Sequence, residues 1–328
     1  MKYLIAGLGS IGRRHLTNLI TLGQKDIILY RSGLRKTNEP ELQKFPTEYD
    51  LERALETKPD AVIISNPTAL HLDVAIPAVK SGCHLFLEKP ISHNMERVQE
   101  FKRLVEHVGT QVFVGFQFRF HPGLKRIKKI LEQNEIGKVL FVRCHWGEFL
   151  PGWHPNEDYS QGYSARSDLG GGVVLTLCHP IDYLQWMLGE VTDVFAITHK
   201  ISDLEINVDD YAEILLKMKC GAYLNLHLDY IQQPPQHNLE ITGSKGIIKW
   251  DNADGVVHLF NNSHRHWQDL IMEPEFERNS MFLSEMQHFI DIVEGGIQPL
   301  SSLSDGIAVQ ETIAAIEESS KTGKIVTI

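Results

Sequence analysis

Along the first 120 residues, short β-branched and aromatic runs alternate with stretches whose apolar residues recur every three or four positions. The runs predict strands at 3–6, 27–30, 60–65, 84–87 and 111–115, and the recurrences predict helices at 12–22, 51–56, 71–81 and 94–108. Strand and helix in alternation suit a doubly wound parallel sheet, because each parallel connection needs a crossover. After His121-Pro122 the alternation stops. A helix at 123–133 leads into longer strands at 138–148, 191–201, 211–219, 222–228, 238–242 and 246–250, and helices at 282–294 and 304–321 close the chain. Segments 218–222 and 243–246 place glycine where hairpins use positive φ. The expected fold class is α/β: an N-terminal Rossmann doubly wound parallel sheet over 1–120, then an α+β domain with an open, mostly antiparallel sheet over 121–328.

The length of 328 residues fits about two domains, and 42% hydrophobic with 23% charged residues is ordinary for a globular chain. Lys and Arg number 32 against 42 Asp and Glu, and the net charge of −10 disfavours a partner with a phosphate backbone. No nucleic-acid partner is expected. The most apolar helical stretch, 173–188, is interrupted by His179, Pro180, Asp182 and Gln185, so no membrane span is expected either. The apolar run at 3–6 is too short for a signal peptide, and Cys83, Cys144, Cys178 and Cys220 form no C-x-x-C pair, which suits reduced thiols and a cytoplasmic location. There is no internal repeat.

Gly7-Leu8-Gly9-Ser10-Ile11-Gly12 follows a predicted strand and opens a predicted helix. In that context Gly7 makes the tight turn, Gly9 lets the backbone N–H groups around Ser10 and Ile11 approach a pyrophosphate, and Gly12 allows close helix packing. The second strand should end on an acid in an NAD site, but the chain reads Tyr30-Arg31-Ser32-Gly33-Leu34-Arg35-Lys36. Arg31 and Ser32 can donate to a 2′-phosphate, which favours NADP; a solvated basic loop is the bland alternative. Asn66-Pro67 ends the third strand with His71 just beyond, Glu88-Lys89-Pro90 ends the fourth, and Gln117 follows the fifth. These are further candidates to line a cofactor crevice, which lies at the carboxyl ends of such strands.

In the second half, Gly170-Gly171-Gly172 precedes Thr176, His179, Asp182 and Tyr183, whose spacing puts them on one helix face unless Pro180 breaks it. His and Asp at i and i+3 can hold a proton donor and a carboxylate side by side. His154, Tyr163 and Arg166 lie in a polar, aromatic loop suited to substrate contact or to a neighbouring subunit. Cys144-His145 and Cys178-His179 lack a third ligand at metal spacing, so no metal is expected.

The ordered set Gly7-x-Gly9-x-x-Gly12, Glu88-Lys89-Pro90, Gly115-Phe116-Gln117-Phe118-Arg119 and Gly170-Gly171-Gly172…His179-x-x-Asp182 resembles the Gfo/Idh/MocA family of dehydrogenases, across nearly the whole chain. The resemblance implies hydride transfer between a nicotinamide and a hydroxyl or carbonyl carbon of a sugar, sugar acid, cyclitol or nucleotide-linked sugar. It implies Lys89 and His179 as catalytic, a commonly cis Pro90, and a homodimer or homotetramer packed sheet on sheet. Arg119 and Asp182 are expected to fix substrate hydroxyl or anionic groups. Two departures stand out. The family usually carries Asp four residues before the histidine, in D-x-G-x-H, where this chain reads Thr176-Leu177-Cys178-His179, and it tends to have Asn where Gln117 stands. An NAD-dependent cyclitol or sugar dehydrogenase is the alternative enzyme, and a catalytically inactive NAD(P) sensor is the alternative class.

Overall fold

A computed structural model describes residues 1–32, 40, 42–155, 157–263, 265–270 and 276–328. It divides into two compact units, Met1–Gln117 with Glu277–Ile307, and Phe118–Phe276 with Ala308–Ile328.

The first unit holds strands β1 (Lys2–Ala6), β2 (Asp26–Tyr30), β3 (Thr47–Glu48), β4 (Ala61–Ile64), β5 (His84–Glu88) and β6 (Val112–Gly115). All pair in parallel, in the order β3-β2-β1-β4-β5-β6, the doubly wound order of a Rossmann sheet. Helices α1 (Ser10–Thr21), α2 (Leu51–Glu56), α3 (His71–Lys80) and α4 (Val98–Val108) make the crossovers. Covered on both faces, the central strands bury every side chain, as at Tyr3-Leu4-Ile5-Ala6 and Ala61-Val62-Ile63-Ile64.

The second unit opens with α5 (Pro122–Glu132) and β7 (Val139–Gly147), then α6 (Val173–Thr176) and α7 (His179–Leu188). Strands β8 (Val191–His199), β9 (Tyr211–Met218), β10 (Tyr223–Asp229), β11 (Gln236–Gly243), β12 (Gly246–Asp251), β13 (Val257–Asn261) and β14 (His266–Leu270) follow. With β15 (Val326–Thr327) they form a nine-stranded sheet, β14-β13-β12-β11-β7-β10-β9-β8-β15, antiparallel except for the β7–β10 pair. Alternation sends Ile214, Leu216, Leu224 and Leu226 into the core, while Leu215 and Tyr223 stay exposed on the other face.

Residues 277–307, expected in the second domain, return to the first unit. There α8 (Arg278–Val293) packs on α1: Arg14 lies 4.4 Å over the Phe282 ring, and Asn279 Nδ2 donates to Asn18 Oδ1 at 3.1 Å. Val114 N–H donates to Ser301 O at 3.0 Å, so the returning segment covers the β6 edge. The last helix, α9 (Leu303–Thr322), continues into the second unit, where Ser319 Oγ accepts from Ala196 N–H at 3.0 Å. Among the described residues no helix is long and apolar enough to cross a membrane.

Two details differ from expectation. At 243–246 the hairpin forms, but neither glycine has positive φ; a Cβ on Gly243 would strike Ile136 O and one on Gly246 would strike Phe260 O, so closeness selects glycine there. The helix expected to carry Thr176 through Tyr183 on one face is broken at Leu177-Cys178, and α7 starts at His179 with Pro180 in its first turn, where its missing N–H costs no helical bond.

Candidate active site

In the first unit, the loop after β1 is shaped by contact with the end of β4. Gly7 has φ +95°, and an added Cβ would lie 2.5 Å from Asn66 N; a Cβ on Gly12 would lie 2.7 Å from Ser65 Oγ and overlap Gly7 O. Ser65 Oγ donates to Gly7 O at 2.9 Å and to Ala6 O at 3.2 Å. Above Gly9 the space is open, with nothing within 4 Å of an added Cβ. Gly9 is the N-cap of α1 and its carbonyl accepts from Arg13 N–H at 3.1 Å, so the N–H groups of Ser10, Ile11 and Gly12 precede the first helical bond. Free donors at a helix N-terminus beside an open backbone are a cradle for a pyrophosphate. Asn66 Nδ2 donates to Leu70 O at 3.0 Å, while its buried Oδ1 has no partner among the described residues. These features fit a dinucleotide.

Pro67 caps the short turn Thr68–Leu70 beside that cradle. Arg31 and Ser32 follow β2, with Arg31 N–H donating to Glu48 O at 3.1 Å; Gly33 to Lys36 of the expected basic loop lie outside the described residues. Gln117, 7% exposed, begins the turn after β6.

Glu88 is buried at the end of β5. His15 Nε2 lies 2.7 Å from Glu88 Oε1, and Lys89 N–H donates to Glu88 Oε2 at 3.2 Å. Burial pushes the Glu88 carboxyl up, but the His15 hydrogen bond and the favourable electrostatics of neighbouring groups, Lys89 among them, outweigh it and hold it below the usual carboxylate range. The next bond, Lys89–Pro90, is cis. His71, expected at the cofactor, is 1% exposed, with Nδ1 2.9 Å from Pro90 O and Nε2 3.0 Å from Asn66 O. Burial lowers it to about 4; the neutral ring donates to one of these two carbonyls and packs against the other, a positioning residue between two strand-end loops.

In the second unit, Arg119 and Asp182, expected to grip substrate, bind each other. Arg119 Nε donates to Asp182 Oδ1 at 3.0 Å and Oδ2 at 3.1 Å, and Nη2 donates to Oδ1 at 2.6 Å, with both side chains buried. The ion pair anchors α7 to the segment after β6. His179, at the start of α7, is buried, 5.1 Å from the Phe118 ring and stacked 5.7 Å from Trp146. Trp146 also stacks on His237 at 4.2 Å. Tyr183, inside α7, has its hydroxyl 3.0 Å from Cys144 Sγ and 3.1 Å from His237 Nε2, and burial pushes the Cys144 thiol up to about 12. Burial lowers His237 to about 3 and His121 to about 4. Thr176 is buried on α6, apart from α7.

The loop residues divide. His154 and Tyr163 are exposed, whereas Arg166 is engaged by Asp168, with Nε to Oδ1 at 3.0 Å and Nη2 to Oδ2 at 2.5 Å. Gly172, at φ +115°, turns the chain into α6, and its carbonyl accepts from Tyr230 OH at 2.9 Å. His15, Trp146 and His237 were not singled out in the sequence. For His15 a signal existed: it lies three residues after Gly12, on the face of α1 that is buried.

A parallel Rossmann sheet with a glycine cradle, joined in one chain to a mostly antiparallel sheet domain, defines an NAD(P)-binding oxidoreductase. Residues 1–116 match the family described as "Oxidoreductase family, NAD-binding Rossmann fold", and residues 124–249 match "GFO/IDH/MocA C-terminal domain". The chain belongs to the Gfo/Idh/MocA family. It is 29% identical over 327 residues to myo-inositol 2-dehydrogenase of Thermotoga maritima, covering 93% of this chain and 92% of that one. It is 24% identical over 332 residues to D-xylose 1-dehydrogenase (NADP(+)) 2 of Haloferax volcanii, covering 99% of each. The solved oxidoreductase domain protein from Kribbella flavida shares the fold with TM-score 0.89 at 20% identity, over 100% of this chain and 99% of that one.

Proposed function

We propose that the protein is an NADP-dependent oxidoreductase acting on a sugar, sugar acid, cyclitol or nucleotide-linked sugar. The observation that carries the proposal is Lys89, placed at the carboxyl end of β5 and fixed on both sides, by Glu88 through its own backbone N–H and by the His71 contact to Pro90 O. Strand ends on this side of a doubly wound sheet are where ligands bind. NADP, when bound, supplies or accepts the hydride at its nicotinamide. Gly7, Gly9, Ser10, Ile11 and Gly12 would hold its pyrophosphate, with Asn66, Pro67, Glu88 and Gln117 along the same strand ends. Arg31 and Ser32, in place of an acid after β2, support the 2′-phosphate, and the Haloferax relative is named for NADP.

In the reducing direction Lys89 Nζ donates a proton to the substrate carbonyl oxygen; in the oxidising direction it takes the hydroxyl proton. A cation held there also stabilises charge on that oxygen. His179 is proposed as the second catalytic residue, and the Arg119–Asp182 pair positions α7, which carries it. His154 and Tyr163 are the loop groups open to substrate, and Arg166 reaches one only by leaving Asp168. The exposed sheet face bearing Leu215 and Tyr223 is proposed to pack on a second copy, giving a homodimer or homotetramer.

Lys89→Met tests the assignment. Turnover is expected to fall at least about 100-fold, the lower range for general acid–base catalysis, with NADPH affinity nearly unchanged. Turnover near the wild-type rate would overturn it.

A further inference from the structure

Among the described residues, two histidines and an aspartate of the second sheet come together as potential metal ligands. On β7 and β10, parallel neighbours, the register sets His145 beside His227 and Gly147 beside Asp229. The imidazole rings stack at 4.4 Å, and His145 Nε2 lies 3.9 Å and His227 Nε2 2.9 Å from the same oxygen, Asp229 Oδ2. One ligand atom from each of the three residues falls within 4.8 Å of the others. A tetrahedral zinc site with bonds near 2 Å has edges of about 3.3 Å, so small rotations of the two rings suffice to close on an ion.

The groups around the three are arranged as supports. Asp229 Oδ1 accepts backbone N–H groups from Ile231 at 2.8 Å and Gln232 at 2.7 Å, which turns Oδ2 towards the imidazoles. Glu213, opposite His227 on β9, lies 2.7 Å from His227 Nδ1, and Asn225 Nδ2 holds its second oxygen at 3.3 Å. A carboxylate on the outer ring nitrogen of a metal-binding histidine fixes its tautomer and raises its basicity. Gln232 Oε1, 2.5 Å from His145 Nε2, offers a fourth donor, neutral oxygen. A Cβ at position 147 would strike both Asp229 Oδ2 and Gln232 Oε1, so glycine there leaves room for the two oxygens. In the single chain the His145 and His227 side chains are 32% and 20% exposed, on the same sheet face as Leu215 and Tyr223, while Asp229 is 3% exposed.

We propose that His145, His227 and Asp229, with Gln232 beside them and Glu213 behind His227, form a binding site for a divalent transition metal, with Zn²⁺ as the ion best matched to two imidazoles and a carboxylate. The ion takes the place of the proton on His227 Nε2 and neutralises the two carboxylates that face this ring. The inference does not rest on the proposed hydride chemistry.

The purified full chain, stripped with chelator, is dialysed against buffered zinc chloride, and bound metal is counted by mass spectrometry and calorimetry. Expected is one zinc per chain, weakened about 100-fold in His227→Asn and in Asp229→Asn, and about tenfold in Glu213→Gln. His258→Asn, which removes an exposed histidine 2.7 Å from Asp269, is expected to leave binding unchanged. Zinc lost in His258→Asn but kept in His227→Asn, or no zinc bound by the wild type, would overturn the proposal and leave an ion-paired network of histidines and carboxylates. Should the variants fold poorly, cobalt(II) added to the wild type decides the matter: intense visible absorption of a tetrahedral ion supports the site, and its absence refutes it.

Discussion

Replacing Asp182 with alanine removes the bidentate carboxylate partner of the buried Arg119 guanidinium. The pair is closed by three N···O contacts of 2.6 to 3.1 Å, and the two side chains are 3% and 0% exposed. Removing one partner of a buried, hydrogen-bonded pair costs about 3–5 kcal/mol, because it takes from a buried charge the carboxylate that compensates its desolvation. At roughly 2–4 °C per kcal/mol for a domain of this size, Asp182→Ala should lower Tm by on the order of 10 °C. The double variant Arg119→Met/Asp182→Leu replaces the pair with apolar groups and should recover most of that loss, since such replacements are often neutral or stabilising. Circular dichroism melts of the wild type, both single variants and the double variant give the coupling directly. If Asp182→Ala melts within about 2 °C of the wild type while weakening substrate affinity, the carboxylate serves the substrate and the positioning role is wrong.

The two glycines of the cradle should separate binding from folding. Gly9→Ala, with open space around its new Cβ, is expected to keep its melting temperature and lose at least about tenfold in NADPH affinity, or 1.4 kcal/mol, whereas Gly12→Ala should lose stability and affinity together; fluorescence titration and thermal melts read both, and a Gly9→Ala protein that binds NADPH as the wild type does would refute the cradle. Stability should also fall below neutral pH. His237 and His121 stay neutral in the fold, at about 3 and about 4, while in the unfolded chain they gain a proton below about 6.5, so the stability they contribute is present above that pH and drains away as pH falls, by about 2 kcal/mol each at pH 5. His237→Asn should flatten the dependence of Tm on pH between 7 and 5, and an unchanged slope would contradict the buried neutral ring.

The Rossmann half was legible because strands buried on both faces leave nearly unbroken apolar runs, as at 61–64, and because a glycine fingerprint between strand and helix marks its own place. Strands β13 and β14 were not anticipated. β14, at the sheet edge, has exposed or half-buried residues throughout, so it shows no alternation to detect. The break before His179 was visible in Pro180, yet its exact place depends on Leu177-Cys178, which carry no turn signal. Arg119 and Asp182 are 63 residues apart, and a sequence shows that each is polar without showing that they meet. The same holds for His145, whose partners at 227 and 229 reach it through strand register. Spacing along the chain finds ligands that are neighbours in sequence, whereas sheet pairing brings together residues that are not.

Hydride transfer is the central claim. NADPH and NADH deuterated at C4, in separate pro-R and pro-S forms, are mixed with a panel of keto-sugars and nucleotide-linked keto-sugars, and label in the products is read by mass spectrometry. The account predicts label from one face only, in one sugar class, faster from NADPH than from NADH, and lost in Lys89→Met. NADPH bound tightly with no label in any sugar, or label delivered equally well by Lys89→Met, would contradict it.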